Sequence, residues 1–103
     1  MEKKHKYDSD CQQRILKIML CLFGHEIDGL APGQIAKIVN TQPSNVTRDL
    51  HNLVEMGVAE RMPGTENARI SPRMGQRALA ILNNIDNSAR RVEETRNRYT
   101  REA

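Results

Sequence analysis

The spacing of apolar residues near the start of the chain predicts an amphipathic helix. Apolar side chains recur there at intervals of three and four residues, as on one helix face. They are Ile15, Ile18, Met19 and Leu22. Ser9 and Gln12 precede them with the spacing of a capping box, and Gly24 follows as a helix-ending residue. We therefore expect the first helix over residues 9–23, with its apolar stripe in the core.

Two further helices, joined by a tight turn, are predicted next. Pro32 and Pro43 each suit the first turn of a helix, where a missing N–H has no cost. The second helix is short and ends near Asn40, and the third spans residues 43–56 because Gly57 suits the position after a helix end. The core-facing residues are Ile35, Ala36, Val39, Val46, Leu50, Leu53 and Val54. This arrangement is typical of a helix-turn-helix.

A β-hairpin is predicted directly after the third helix. Residues 58–62 and 68–71 are short strand candidates, and Pro63 and Gly64 between them favour a turn. A further short strand is expected at Ile27 or Leu30, in the loop before the second helix. A hairpin in this place is a wing. The expected fold class is therefore mainly α with a small β-hairpin wing, a winged helix-turn-helix.

The last third of the chain is predicted to be one long helix with an unpartnered apolar stripe. Ser71 is expected to cap this helix, which opens at Pro72. Apolar residues recur every seven positions, although Ser88 and Thr95 interrupt the second apolar position. The predicted dimerisation residues are Ala78, Ile81, Leu82, Ile85, Ala89, Val92 and Tyr99. A protruding helix cannot bury such a stripe alone, so we expect it to form a homodimer with a second copy.

The outer face of the third helix carries the candidate binding chemistry. At 100° per residue, Ser44, Arg48 and His51 share the side opposite the core, and Asn45 and Thr47 flank them. A recognition helix needs such side chains near its N-terminus, because these reach base edges in the major groove. Arg48 suits either a guanine edge or a phosphate, and Asn45 suits adenine. The predicted DNA-binding residues are Gln42, Ser44, Asn45, Thr47, Arg48, His51, Arg61 and Arg69, the last two on the wing.

The stretch LAPGQIAKIVNTQPSNVTRDLHNLVEMGVAERM resembles the winged helix of IclR-type and MarR-type bacterial regulators. The shared features are I-A in the second helix, P-S-x-V-x-R-x-L at the start of the third and L-V-E-M-G-V at its exit. The segment ARISPRMGQRAL is similar to the second wing strand and following helix of MarR-like proteins. The resemblance implies a transcriptional regulator in which Ser44, Asn45, Thr47 and Arg48 face DNA. The chain departs from both families. IclR-type regulators carry a large C-terminal effector domain, which is not found in this sequence, and MarR-type proteins have extra N-terminal dimerisation helices, whereas this N-terminus is short. We therefore expect a stand-alone DNA-binding module with its own dimerisation helix.

Composition restricts the function only weakly. The net charge of +3 is mildly basic, and an aromatic content of 3% disfavours a large aromatic-lined ligand pocket. Cys11 and Cys21, on one helix, are roughly 15 Å apart, beyond the reach of a disulfide. They are expected to be free thiols in a reducing compartment. The sequence has no apolar leader or membrane-length segment, so a cytoplasmic protein is expected, associated with the nucleoid when bound to DNA.

Catalytic and metal motifs are not found in the sequence. His5, His25 and His51 are scattered, and the cysteines lack the spacing of a zinc site. We therefore expect no enzyme activity, no metal and no cofactor, and no residue pattern specifies a small-molecule effector. The expected organisation is a flexible basic arm over 1–8, a winged helix-turn-helix over 9–71 and a dimerisation helix over 72–103.

Three functional interpretations remain open at this point. The first is a sequence-specific regulator of transcription, with a repressor favoured, that binds double-stranded DNA as a homodimer. The second is a winged-helix module for protein–protein interaction, which the modest net charge allows. The third is an architectural DNA binder that uses the arginines of the last helix for non-specific contacts. The basic arm has the same ambiguity, since it suits either a solvated tail or a DNA contact.

Overall fold

The computed structural model describes residues 4–101, and the chain divides into one compact unit that ends at Ser71 and a second that begins at Pro72. The elements, in chain order, are α1 (Asp10–Leu22), α2 (Pro32–Val39), α3 (Pro43–Glu55), β1 (Ala59–Arg61), β2 (Ala68–Ile70) and α4 (Pro72–Thr100). The protein is thus mainly helical with a two-stranded hairpin. Of the expected basic arm, residues 1–3 lie outside the described residues.

Local capping sets the ends of α1. Ser9 adopts an extended backbone, and its side-chain oxygen accepts a hydrogen bond from the Gln12 N–H at 3.3 Å. This bond satisfies one of the N–H groups that the first turn of a helix leaves unpaired. At the other end, Gly24 has a φ of +94°, a conformation that glycine adopts without steric cost. The predicted limits of the first helix are therefore confirmed to within a residue.

A tight turn joins α2 to α3. Asn40 is left-handed, with a φ of 55°, and its N–H donates to carbonyls in the last turn of α2. Pro32 and Pro43 occupy the first turns of their helices, as the sequence predicts. Gly57 follows α3 with a φ of +75°. The two helices and their turn form the predicted helix-turn-helix.

The hydrophobic core of the first unit lies among the three helices and the hairpin. The buried apolar residues are Ile18, Leu22, Leu30, Ile35, Ala36, Val46, Leu50, Leu53, Ala59, Ala68 and Ile70. Most of these come from the stripes that periodicity assigned to the core, and each helix of the three contributes at least two of them. The burial of these stripes fixes which face of α3 remains outside.

The hairpin is an antiparallel pair in which Ala59 faces Ile70, Glu60 faces Arg69 and Arg61 faces Ala68. It is shorter than the sequence predicts, with three residues in each strand. Leu30 adds an isolated bridge to Ala68, with both backbone hydrogen bonds at 2.9 Å. The short strand expected in this loop is therefore reduced to a single bridge at Leu30. With the hairpin after α3, the first unit is a winged helix-turn-helix.

The second unit is the predicted long helix. It runs as α4 from Pro72 to Thr100, and every side chain along it is exposed or only partly covered. Ser71, which the sequence assigns as its cap, donates its hydroxyl to the Gly57 carbonyl at 2.6 Å. Within residues 4–101, none of the helices is long and apolar enough to cross a membrane.

Candidate nucleic-acid interface

The outer face of α3 presents three predicted residues to solvent. Ser44, Arg48 and His51 lie at intervals of four and three positions, so they share one side of the helix, and all three are exposed. The core residues Val46 and Leu50 are fully buried on the opposite side. This segregation leaves a polar, hydrogen-bonding strip along the N-terminal half of α3.

Two flanking residues are held by local hydrogen bonds. Asn45 is half-buried, and its side-chain amide donates to the Thr41 hydroxyl at 3.0 Å, across the turn that precedes α3. The Thr47 hydroxyl donates to the Pro43 carbonyl at 3.2 Å. Both orientations are thus partly fixed within the chain. Gln42 is exposed immediately before the helix.

The two wing arginines differ in their surroundings. Arg69 is half-buried and forms an ion pair with Glu60 opposite it, with 2.7 Å between Nε and Oε1. Its Nη1 also donates to the Glu26 carbonyl at 3.4 Å. Arg61 is exposed, and its guanidinium makes one long hydrogen bond, 3.4 Å, to the Glu66 carbonyl. Arg61 is therefore the wing cation with the more accessible charge.

A cleft brings α3 and the wing together. It has a volume of about 430 Å³ and is lined by Pro32, Thr47, Arg61, Thr65 and Glu66. Thr47 and Arg61 were predicted as binding residues from separate elements, and the fold places them on the same cleft. Thr65, at the wing tip, was missed because the sequence gives no indication of how the turn folds back. The negative charge of Glu66 opposes the positive charge of Arg61, so the cleft is less favourable for anions than Arg61 alone would make it.

An ion pair behind the outer face links α3 to α1. The Arg14 Nε and Nη2 atoms donate to the two carboxylate oxygens of Asp49 at 2.6 and 3.0 Å. Asp49 is buried, with an exposed fraction of 5%. Its hydrogen bonds to Arg14 raise the pKa of that guanidinium above its ordinary value. Sequence reasoning placed Asp49 away from the binding tip but did not find its partner, which is 35 positions distant.

The described part of the basic arm folds back on the start of α1. The Lys4 ammonium lies 2.8 Å from an Asp10 carboxylate oxygen, in an exposed ion pair. Hydrogen bonding in this pair raises the pKa of Lys4 and lowers that of Asp10. The His5 N–H donates to Asp8 at 2.8 Å. Such exposed pairs contribute little to stability.

The seven predicted dimerisation residues all lie on the surface of α4. Ile81, Leu82 and Ile85 are 57–61% exposed, and Val92 and Tyr99 are more exposed still. Ala78 and Ala89 are also exposed.

The two cysteines, Cys11 and Cys21, are free thiols, and burial raises the pKa of Cys21. Among residues 4–101, no three His, Cys, Asp or Glu side chains are grouped so as to hold a metal ion.

Comparison with solved structures finds a similar fold in the crystal structure of an IclR family transcriptional regulator from Brucella abortus. The TM-score is 0.68 at 20% sequence identity, and the match covers 82% of this chain and 32% of that chain. This chain thus matches about a third of the length of that regulator. At such low identity the likeness supports the winged-helix fold. No protein-family model and no curated protein matches the sequence.

Proposed function

We propose that this protein is a sequence-specific, double-stranded DNA-binding regulator of transcription. The observation that carries the proposal is the exposed strip of Ser44, Arg48 and His51 on α3, in a winged helix-turn-helix. A helix of this kind fits the major groove, and its N-terminal residues reach the base edges. A solved protein of similar fold is a transcriptional regulator.

Arg48 is the residue to which we assign most of the base discrimination. Its guanidinium is exposed and has no ion-pair partner among residues 4–101. An arginine in this position can donate two hydrogen bonds to one guanine. The side-chain amide N–H of Asn45 already donates a hydrogen bond to Thr41. Its side-chain carbonyl oxygen is therefore more available to a base than its amide N–H groups. Gln42, Ser44 and Thr47 would contact the phosphates that flank the bases, favoured by the positive end of the helix dipole.

The wing would contact the backbone or minor groove beside the recognition helix. Arg61 would provide the main charge, because Arg69 is already paired with Glu60. Thr47 and Arg61 share one cleft, so a single phosphate group could contact both elements. Such a contact would fix the register of α3 on the duplex without reading sequence.

We further propose that the protein acts as a homodimer through α4, and that it represses by occupying its site. The exposed heptad stripe of Ala78, Ile85, Val92 and Tyr99 supports the pairing. Two recognition helices would then enter successive major grooves about 34 Å apart, on a site with two-fold symmetry.

The experiment that tests this function is selection from a random-sequence duplex pool, followed by sequencing, at about 50 and 200 mM salt. A symmetric enriched motif is the expected result. Binding without enrichment that fades steeply with salt would replace the proposal with the architectural interpretation. No binding at either salt concentration would leave the protein-interaction module as the better account.

The variant Arg48→Ala should weaken binding to the selected site by about tenfold or more, because a bidentate arginine–guanine pair is lost. Lys17→Ala is the matched control, since it removes one exposed positive charge from α1. Titration of a labelled duplex measures both affinities. Equal affinities for the two variants would remove Arg48 from the interface, whereas unchanged circular dichroism shows that both variants are folded.

A further inference from the structure

An apolar stripe on α1 remains outside the core. Ile18 and Leu22 are fully buried on one side of this helix. Leu16 and Leu20 lie four positions apart on another side, and Phe23 follows directly after the helix end; their exposed fractions are 53%, 62% and 42%. Large apolar residues scattered singly on a surface are ordinary, but several exposed together near one end of a helix are a candidate interaction surface.

One of these residues, Leu20, lines a shallow, open cleft between α1 and α2. The cleft has a volume of about 450 Å³ and is lined by Lys17, Leu20, Cys21, Ile38 and Val39. Ile38 is 55% exposed, so α2 adds a large apolar side chain opposite Leu20. A shallow depression between two helices with exposed apolar walls can accept the apolar face of a third helix.

The charges around the cleft restrict its occupant. Lys17 is the charged residue in the lining, and Lys37 precedes Ile38 on α2. A second copy docked on the same face about a two-fold axis would bring the same lysines together. Helix α4 of another copy is also unsuitable in charge, because it carries six arginines and three acidic residues. Complementarity therefore favours an acidic partner.

We propose that the cleft between α1 and α2, lined by Lys17, Leu20 and Ile38, is a docking site for an acidic amphipathic helix of another protein. Leucine-type side chains of the partner would enter between Leu20 and Ile38. Acidic side chains on its flanks would pair with Lys17 and Lys37. This inference does not depend on DNA binding, and it gives the protein a surface for contact with a protein partner.

The test uses two synthetic helical peptides of about 18 residues, long enough for helix formation. Both have leucines at intervals of three and four positions, with glutamates elsewhere in one peptide and lysines in the other. The full chain, isotopically labelled, is titrated with each peptide, and the methyl resonances of Leu20 and Ile38 are followed. We expect the glutamate peptide, and not the lysine peptide, to shift these methyl resonances until they saturate. The affinity should fall as the salt concentration is raised.

Variants of the full chain locate the binding surface. Leu20→Glu should weaken binding of the glutamate peptide by about tenfold or more, because the variant places a negative charge next to the acidic peptide in an apolar contact. Ile27→Glu is the control, since Ile27 is 83% exposed and does not line the cleft. The proposal is overturned if both peptides bind equally, if neither shifts the two methyl groups or if both variants behave alike. It is also overturned if Leu20→Glu lowers the solution mass of the protein, because a second copy would then be the occupant.

Discussion

Asp49 is the one charged side chain that is buried within residues 4–101, and its burial depends on a single partner. Arg14 reaches it from α1 with two hydrogen bonds, in a geometry that satisfies both carboxylate oxygens. A buried ion pair adds little net stability compared with apolar residues of the same size, because both charges lose their hydration. Removal of one member alone is costly, since the other charge then remains buried without a partner.

The variant Arg14→Met should therefore lower the free energy of unfolding by about 3 kcal/mol, because the Asp49 carboxylate loses its partner. The double variant Arg14→Met, Asp49→Leu should recover most of this loss and come within about 1 kcal/mol of the original chain. Urea unfolding of Arg14→Met, of Asp49→Leu and of the double variant measures the coupling between the two residues. A loss below about 1 kcal/mol for Arg14→Met would show that the pair is not important for stability.

At the scale of single elements, sequence predicted most of the fold because the determinants are local. Ser9, Pro32 and Pro43 mark helix starts, and Gly24 and Gly57 have the positive φ expected of residues that follow a helix. Tertiary partners were not predicted from such local patterns. The Arg14–Asp49 and Arg69–Glu60 pairs depend on how separate segments approach. The register of the hairpin places Arg69 opposite Glu60, so knowledge of the register would have been enough to predict that pair.

The loop before α2 is the element that fixes the wing, and Gly29 is its critical residue. Its φ is +70°, and a Cβ atom there would lie 2.5 Å from the Met62 Sδ atom and 2.9 Å from the Ala68 carbonyl oxygen. The next residue, Leu30, makes the backbone bridge to the hairpin. Gly29 therefore permits a close approach between this loop and both sides of the wing.

Gly29→Ala should lower the free energy of unfolding by roughly 3 kcal/mol, from left-handed strain plus overpacking. Gly64→Ala is a matched control, because Gly64 has a φ of +75° and open space around its missing side chain. It should cost about 1 kcal/mol, the strain alone. Urea unfolding of both variants gives the comparison, and equal losses would mean that the packing against Met62 and Ala68 has no effect.

At the scale of the whole molecule, the proposed dimer depends on the charges that flank the α4 stripe. With Ala78, Ile85, Val92 and Tyr99 as the first heptad position, Arg91 and Arg96 fall at the two flanking positions. In a parallel pair of helices, Arg91 of one copy would face Arg96 of the other. Like charges at these positions destabilise pairing, while the apolar residues Ile81, Leu82 and Ile85 favour it in the preceding turns.

Dimerisation through α4 should therefore strengthen as salt is raised, because salt screens the repulsion between these arginines. Arg91→Glu should strengthen it by about tenfold at low salt, since two repulsive contacts become attractive. Arg90→Glu makes the same change of charge at an outer heptad position and should have a much smaller effect. Sedimentation equilibrium of the three proteins measures the dimer constants. If the two variants dimerise equally well, the helices do not pair in this parallel register. If dimerisation weakens with salt for the original chain, contacts other than the α4 stripe hold the two copies together.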